Sequence, residues 1–142
     1  MQNPPPDQSE KSSTGLQQNV AAAISYIWIV GLVFFLMEKE NRFIRFHALQ
    51  SIIYGISMTV VMIGLMIVNV ILAFVIAAIA GTAGSTAGGL AGLVVSLVSL
   101  VIWLIFPLLM VLGLVLAAIR AYQGKIFKFP IIGNMAEKIV NK

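Results

Sequence analysis

The most restrictive feature of this sequence is a long central stretch that contains no acidic residue, lysine or arginine. None of these residues occurs between Phe46 and Ile119, and 60% of the 142 residues are hydrophobic while 10% are charged. Soluble domains average about 25% charged residues. A soluble core of this chain length cannot bury so long an apolar segment. The sequence therefore predicts an integral membrane protein.

Three apolar blocks predict an all-α, polytopic fold with three transmembrane helices. The blocks cover residues 20–36, 52–80 and 90–118. As helices, the first approaches the hydrocarbon thickness of about 30 Å, while the others, at roughly 44 Å each, exceed it. Each long block is either one tilted helix or a re-entrant hairpin, and the scarcity of turn residues inside the blocks favours single helices. The Gly-rich segment 81–89 is expected to be a flexible connector.

The basic residues predict the orientation of the chain. Lysine and arginine in short loops favour the cytoplasmic side, and with three spans all of them except Lys11 lie on one side. We therefore expect a multi-pass protein of the cytoplasmic membrane, with its N-terminus outside and its C-terminus in the cytoplasm. Residues 1–16 are predicted to be a disordered tail, residues 17–122 the transmembrane domain, and residues 123–142 a cytoplasmic interfacial tail.

The C-terminal tail combines aromatic, basic and helix-breaking residues. Lys125 lies in a run of alternating aromatic and basic residues, and Pro130 disfavours a continuing helix, so we expect the segment AYQGKIFKFP, at positions 121–130, to form an interfacial strap. A short amphipathic helix is predicted to follow it on the membrane surface. One face of that helix would carry Ile132, Met135 and Ile139, and Asn134 and Glu137 have the spacing of a capping box.

A polar stripe begins where the second block enters the membrane. Its members, which share one helical face, are His47, Gln50, Ser51, Tyr54 and Ser57. Because polar groups in hydrocarbon need partners, the stripe should face another helix or a wet cavity. Hydrogen bonding between helices is the favoured interpretation, and a binding vestibule or conduction path is the alternative. Arg42 and Arg45 project away from the stripe toward headgroups or water.

The composition argues against catalysis, cofactors and nucleic acid. The chain has no cysteine, one histidine and five acidic residues, so no catalytic, metal or cofactor site is predicted. Nucleophile motifs, phosphate-binding loops and paired catalytic carboxylates are also missing from the sequence. The basic residues flank hydrophobic spans and indicate membrane topology instead of nucleic-acid binding. We therefore do not expect an enzyme.

Two segments carry a family resemblance. They are EKENRFIRFHALQS at positions 38–51 and AIRAYQGKIFKFPIIGNMAEKI at positions 118–139. They resemble a small prokaryotic membrane-protein family of unknown function, which is distantly related to the twenty-kilodalton subunit of the chloroplast inner-envelope protein translocon. The resemblance implies a channel-forming or scaffold subunit of a protein import complex, and it implies no catalytic or cofactor residues.

Both segments are expected to meet at the cytoplasmic face and to pack together there as a platform. We hypothesise that Glu38 or Glu40 pairs with Lys125 or Lys128 across this contact. An exposed pair contributes at most about 1 kcal/mol, so docking of partners or anionic lipid is the more plausible purpose.

The sequence as a whole predicts an interaction or assembly subunit without catalytic activity. Its expected partners are the lipid bilayer, anionic lipid, and further copies of the chain or a larger membrane complex. The alternative function is a homo-oligomeric channel or transporter lined by the polar faces of the second and third helices.

Overall fold

The computed structural model describes residues 11–83 and 85–141, and the regular structure within them is helical apart from one isolated bridge between Lys11 and Gln17. The helices are α1 (Gln18–Ile24), α2 (Trp28–Met37), α3 (Arg42–Ala83), α4 (Ser85–Leu100), a π-helical turn (Val101–Ile105), α5 (Phe106–Tyr122) and α6 (Ile132–Val140). The predicted all-α class is confirmed.

Two stretches of helix are long and apolar enough to cross a membrane. They are Arg42–Thr82 and Gly88–Tyr122, whereas the apolar helix Trp28–Met37 has only 10 residues. Both long apolar blocks of the sequence lie inside uninterrupted helix. Three transmembrane helices are not confirmed, because α2, at about 15 Å, reaches across half of a hydrocarbon layer of about 30 Å.

The first apolar block, residues 20–36, differs from the expected single helix. The Ser25 hydroxyl donates to the carbonyl of Ala21 at 2.7 Å. The N–H groups of Tyr26 and Ile27 bond three residues back, and Ile27 then adopts an extended conformation. The Ala21 carbonyl also keeps its bond from the Ser25 N–H, at 3.1 Å, so the four-residue helical spacing ends only after Ser25. The block is therefore divided into α1 and α2.

Small residues occupy the region expected to be a flexible connector, yet most of that region is helical. Residues 81–83 end α3 and residues 85–89 begin α4, while Gly84 lies outside the described residues. A Cβ added at Gly88 would lie 3.3 Å from the Cβ of Ala80. The small residues thus let two helices approach closely instead of producing an extended loop.

A π-helical turn precedes the proline of the last long helix. The N–H of Phe106 bonds five residues back, to the carbonyl of Val101. Pro107 has no N–H and its ring crowds the carbonyl four residues earlier, which an ordinary α-helix cannot accommodate. One extra residue in the turn lets the helix pass this proline with a local adjustment.

The chain forms two compact units. The terminal unit contains residues 11–57 and 112–141, and the central unit contains residues 58–83 and 85–111. In the central unit, Asn69 Nδ2 donates to Ser99 Oγ at 3.1 Å and joins α3 to α4. The outer faces of these helices are exposed and apolar. That distribution suits a helical pair surrounded by lipid.

The core of the terminal unit surrounds the first turns of α3. Three groups of buried side chains make it up. The first joins α1, α3 and α5, the second joins α1, α2 and α3, and the third joins α3 to α6. Their members are Ala22, Tyr26, Phe43, Ala117 and Ala121; Ala21, Phe34, Ile44 and Ala48; and Phe46, Leu49, Ala136 and Val140. The N-terminal part of α3 is therefore the element on which the other helices of this unit pack.

The predicted C-terminal helix is present as α6, but its start and its buried face differ from expectation. The N-cap is Ile131, not Asn134, and Glu137 binds Lys128, so the capping box does not form. Gly133, Ala136 and Val140 face the protein core. Met135 and Ile139, on the expected membrane face, are exposed.

Ile131 has an unusual backbone conformation just before α6. Its φ of 69° and ψ of −59° form a tight turn in which the Ile132 N–H bonds the Pro130 carbonyl at 2.8 Å. Such a conformation in a β-branched residue costs of order 1–3 kcal/mol. The Ile131 side chain is nevertheless 75% exposed. Burial in the core therefore does not explain why an isoleucine occupies this position.

Gly31 provides a direct test of how α2 packs in the terminal unit. An added Cβ would clash with the carbonyl oxygen of Ser25 and would lie 2.5 Å from Ser51 Oγ. We therefore expect Gly31→Ala to destabilise the protein by about 1–3 kcal/mol through overpacking. The measurement is the midpoint of thermal unfolding in detergent.

The matched control is Gly55→Ala in the same unit, where an added Cβ meets nothing within 4 Å. Because alanine is the better helix former, this variant should unfold at the wild-type temperature or above it. Equal unfolding temperatures for the two variants would contradict the close approach of α2.

Candidate functional site

The polar stripe of α3 lies inside the terminal unit. His47, Gln50, Ser51 and Tyr54 are buried, and Ser57 is half-buried. Helical periodicity brings them to one side of α3, as expected. The first four therefore face protein, an arrangement that favours hydrogen bonding between helices over a pore wall.

A buried polar network connects three distant segments of the chain. It consists of Tyr26, His47, Gln50 and the carbonyl of Phe127. The Tyr26 hydroxyl lies 2.9 Å from His47 Nδ1, and Gln50 Nε2 donates to this hydroxyl at 2.8 Å and to the Phe127 carbonyl at 2.9 Å. The N-terminal segment, α3 and the C-terminal tail are thereby joined through one glutamine.

The geometry of the network allows Tyr26 to donate to a neutral His47. Because the Tyr26 oxygen accepts from Gln50, its own hydrogen is available for His47 Nδ1. The imidazole is then neutral, with its hydrogen on Nε2. Among the described residues, His47 Nε2 and Gln50 Oε1 are buried without a hydrogen-bond partner. Since buried polar atoms of this kind are costly, the network serves a defined geometry more than maximal stability.

Aromatic rings enclose the imidazole. The centroid of the His47 ring lies 4.6 Å from that of Phe43 and 5.2 Å from that of Phe46, both in edge-to-face geometry. Such pairs contribute about 0.5–1.5 kcal/mol beyond the area that they bury. His47 is therefore a packed element of the core and does not face lipid.

Ser51 holds the break between α1 and α2 in place. Its hydroxyl lies 2.7 Å from the carbonyl of Ser25 and 2.8 Å from that of Ala48. The single hydroxyl hydrogen is shared between these two acceptors. The carbonyl of Ser25, which lacks a continuing helix, thus obtains its partner from α3.

The C-terminal tail lies across α3 by aromatic stacking. Tyr54 stacks on Phe129 with ring centroids 4.6 Å apart. A Cβ added at Gly113 would lie 2.9 Å from the Tyr54 hydroxyl, so the absence of a side chain there leaves room for this ring. Pro130, which follows the stack, is exposed. We call residues 38–51 and 118–139, which meet here, the platform.

The basic residues of the platform lie at its surface. Arg42 and Lys125 are exposed, whereas Arg45 is half-buried. Arg45 Nη1 donates to the carbonyl of Lys39 at 3.4 Å, and its guanidinium lies 5.7 Å from the centroid of the Phe35 ring. Arg45 is therefore held by α2 and its following loop, and Arg42 and Lys125 are accessible to partners or headgroups.

The expected pairing of Glu38 or Glu40 with Lys125 or Lys128 is replaced by other contacts. Lys128 Nζ lies 2.8 Å from both carboxylate oxygens of Glu137. Both side chains are about two-fifths exposed, so this pair contributes at most about 1 kcal/mol. It joins the strap to α6.

Glu38 closes the N-terminal segment onto the start of α3. It accepts hydrogen bonds from the backbone N–H of Ser13 at 2.8 Å and from that of Asn41 at 3.3 Å. Burial opposes ionisation of the Glu38 carboxyl, but these hydrogen bonds outweigh that effect and lower its pKa.

This contact orders part of the tail that was expected to be disordered. Residues 11–16 form a turn in which the Ser12 N–H bonds the Leu16 carbonyl at 2.8 Å and Gly15 adopts a φ of 81°. Residues 1–10 of the expected tail lie outside the described residues. The Ser13 N–H, by donating to the Glu38 carboxylate, joins this turn to the segment before α3.

Asn41 is a site residue that the sequence analysis missed. Its Oδ1 accepts from the N–H groups of Phe43 and Ile44, at 3.1 and 3.2 Å, and caps α3. Its Nδ2 donates to Gln18 Oε1. An asparagine directly before a helix is a recognisable capping signal, whereas nothing in the sequence identifies Gln18 as its second partner.

Gln50→Leu tests the network. Leucine preserves bulk but removes both donated hydrogen bonds, so the Phe127 carbonyl and the Tyr26 hydroxyl lose their common partner. We expect destabilisation of about 1–3 kcal/mol and faster hydrogen exchange in residues 123–131. Ser57→Ala, on the half-buried part of the same stripe, is the control. Wild-type exchange in Gln50→Leu would contradict the role of this glutamine.

The lowered pKa of Glu38 predicts a pH dependence of stability. A carboxyl whose pKa is lower in the folded state stabilises the protein above its unfolded pKa of about 4.3, and this contribution is lost as the pH falls through the folded value. Glu38→Gln should therefore unfold at a lower temperature than wild type at neutral pH, and the difference should shrink in acid. Thermal unfolding between about pH 3 and pH 7 checks this. A difference independent of pH would contradict the assignment.

Comparison with known proteins supports the expected membership in a small prokaryotic membrane-protein family. A sequence profile of the magnetosome magnetite crystal formation protein family (MamF/MmsF) matches residues 16–136. The descriptions of this family and of the relatives below do not mention protein translocation. The relation to the chloroplast translocon subunit therefore stays a prediction.

Three relatives are named UPF0132 membrane proteins, two from Methanocaldococcus jannaschii and one from Archaeoglobus fulgidus. One from the first organism is 47% identical over 30% of this chain and 41% of its own length. The other is 29% identical over 87% of this chain and 71% of its own length. The Archaeoglobus protein is 52% identical over 27% of this chain and 39% of its own length. The chain thus spans less than half of two of these relatives.

No solved structure matches the chain. The profile match extends from just before α1 to the middle of α6 and includes the whole polar network. The relatives are named as membrane proteins, and two helices here are apolar and long enough to cross a membrane. The chain belongs to the magnetosome magnetite crystal formation protein family.

Proposed function

We propose that this protein is a non-catalytic assembly subunit of a membrane complex, and that its platform is the surface that partners recognise. The observation that supports this role is the polar network of Tyr26, His47, Gln50 and the Phe127 carbonyl. Its buried hydrogen bonds hold three segments of the chain in one arrangement. A surface ordered in advance binds with a smaller loss of conformational entropy.

The exposed residues of the platform suit anionic lipid as one partner. Arg42, Lys125 and Lys138 are exposed cations. Met135 and Ile139 expose the apolar side of α6, the helix that also carries Lys138. Basic side chains beside an apolar helix face fit the headgroup region of an anionic leaflet. The strained and exposed Ile131 would extend this apolar face.

The location that we propose is the cytoplasmic membrane, with the platform on the cytoplasmic side. The two long apolar helices support a multi-pass arrangement, and the concentration of lysine and arginine in the platform supports its side. The sequence-based arrangement, with three spans and an external N-terminus, would require residues 20–36 to cross the bilayer.

The family description suggests a setting for this assembly role. It refers to magnetite crystal formation, so one candidate complex organises a membrane around a growing mineral. The resemblance to a translocon scaffold suggests another, in which the partner is a protein-conducting complex. In both settings the chain would contribute a membrane-embedded surface for further subunits or copies of itself.

The second candidate function is a homo-oligomeric channel or transporter. Its support is the polar pair of Asn69 and Ser99 inside the apolar central unit. Ser96 on α4 is exposed, and its hydroxyl donates to the carbonyl of Gly92. In an oligomer these groups would line a path, because polar residues in hydrocarbon face protein or water.

Crosslinking in native membranes, followed by gentle detergent extraction and mass analysis, tests the assembly role. Wild type and Ser57→Ala should yield a stoichiometric complex with another protein. Gln50→Leu should insert in the membrane, but the amount of complex recovered should fall at least tenfold, because its strap is no longer held on α3.

A homo-oligomer alone, together with ion flux in liposomes that Ser99→Ala alters, would overturn the assembly role and support the channel. Recovery of the same complex from Gln50→Leu would show that the platform is not the recognised surface.

A further inference from the structure

The N-terminal segment is closed at its base. We call residues 13–38, which contain α1 and α2, the N-terminal hairpin. The backbone N–H of Ser13 donates to Glu38 Oε2 at 2.8 Å, and Gln18 accepts a hydrogen bond from Asn41 Nδ2. The chain therefore enters and leaves the hairpin beside the first turn of α3.

The tip of the hairpin lies further along α3. The Ser25 carbonyl, in the break between α1 and α2, accepts from Ser51 Oγ at 2.7 Å. Ser51 follows the first residue of α3, Arg42, by nine positions, which corresponds to about 14 Å along the helix axis. The N-terminal hairpin thus extends beside α3 for about 14 Å and then returns.

This depth matches one leaflet. The hydrocarbon layer is about 30 Å thick, so each leaflet contributes about 15 Å. Helix α2 has 10 residues, or about 15 Å. A segment of this length whose two ends lie together reaches the bilayer centre but cannot cross to the other side.

The outer face of α2 is apolar and uncovered in the chain. Gly31 and Phe34 face the interior. The opposite side exposes Ile29, Leu32, Val33 and Leu36, and Trp28, at the tip, is 66% exposed. A contiguous apolar face of this kind on a membrane protein fits acyl chains, because its exposure to water would be unfavourable.

Three backbone groups in the break between α1 and α2 meet the requirement for irregular structure at membrane depth. Non-helical backbone is tolerated there only where protein supplies its hydrogen bonds. The Ser25 carbonyl has Ser51, and the Tyr26 and Ile27 N–H groups have the Ala23 and Ile24 carbonyls, at 3.2 and 3.0 Å. These three groups therefore need no water as a hydrogen-bond partner.

We propose that the N-terminal hairpin is a re-entrant element that enters the cytoplasmic leaflet, contacts its acyl chains through the outer face of α2, and returns to the same surface. The inference rests on the membrane location in the proposed function. It gives the chain two membrane crossings, by α3 and by the helix from Gly88 to Tyr122, and places residues 11–17 on the side of the platform. Lys11 then joins the other basic residues on the cytoplasmic side.

Cysteine labelling tests the sidedness, since the natural chain has no cysteine. Single variants Thr14→Cys, Asn141→Cys and Thr86→Cys place exposed thiols near the N-terminus, after α6 and between the long helices. A membrane-impermeant maleimide is applied to sealed right-side-out and inside-out vesicles. We expect Thr14→Cys and Asn141→Cys to react from the same side and Thr86→Cys from the other. Reaction of Thr14→Cys from the side opposite to Asn141→Cys would overturn the proposal in favour of a crossing.

The depth of the tip is measured with a natural probe. Trp103→Phe leaves Trp28 as the single tryptophan. In phosphatidylglycerol-containing vesicles, lipids brominated near the chain ends should quench Trp28 at least twofold more than lipids brominated near the headgroup. The control adds Trp28→Phe and Met37→Trp, which moves the probe to the exposed base of α2. There the shallow lipids should quench more.

Absence of quenching at every depth would show that the hairpin lies outside the bilayer, and it would overturn the proposal. The assembly role would survive that result, because recovery of a partner complex depends on the platform and not on the depth of α2. If labelling and quenching are as expected but no partner complex is recovered, the assembly role is contradicted and the re-entrant hairpin is retained.

Discussion

Buried hydrogen-bonding groups need partners within the protein wherever water is excluded, and the terminal unit depends on this constraint. Gln50 meets it for two segments at once, by donating to the Tyr26 hydroxyl and to the Phe127 carbonyl. Ser51 does the same for the carbonyl left open where α1 ends. These contacts make the first turns of α3 the scaffold for the N-terminal hairpin on one side and for the C-terminal strap on another.

Close approach is the second requirement, because short hydrogen bonds between helices demand small residues at the contact. Gly31 lets α2 reach Ser51, and Gly113 leaves room for the Tyr54 hydroxyl. Ala117 and Ala121 allow α5 to pack near Tyr26. Polar contacts between membrane helices contribute only about 0.6 kcal/mol each on average, so packing and hydrogen bonding must act together. The platform is the combined result, and its outer surface remains available to lipid and partners.

Much of the architecture could be predicted from composition and periodicity. The two long apolar blocks lie in helix, and the stripe from His47 to Tyr54 lies on one buried side of α3. The short C-terminal helix is present, but Ile131 caps it where Asn134 was expected. The exposed ion pair also differs from expectation. Lys128 pairs with Glu137, nine residues away, instead of with an acidic residue before α3. Charge alone does not select among several acceptors within reach.

The sequence by itself determined the membrane class, the helical content and the face of α3 that carries polar groups, since these follow from local hydrophobicity and the 3.6-residue period. Only the tertiary structure decided that the first apolar block breaks at Ser25, that Glu38 binds the backbone of Ser13, and that Gln50 binds a carbonyl 77 residues away. The reason is that backbone donors and acceptors are present at every position. Which of them pair over a long range depends on which segments pack together, and the residue types alone do not indicate this.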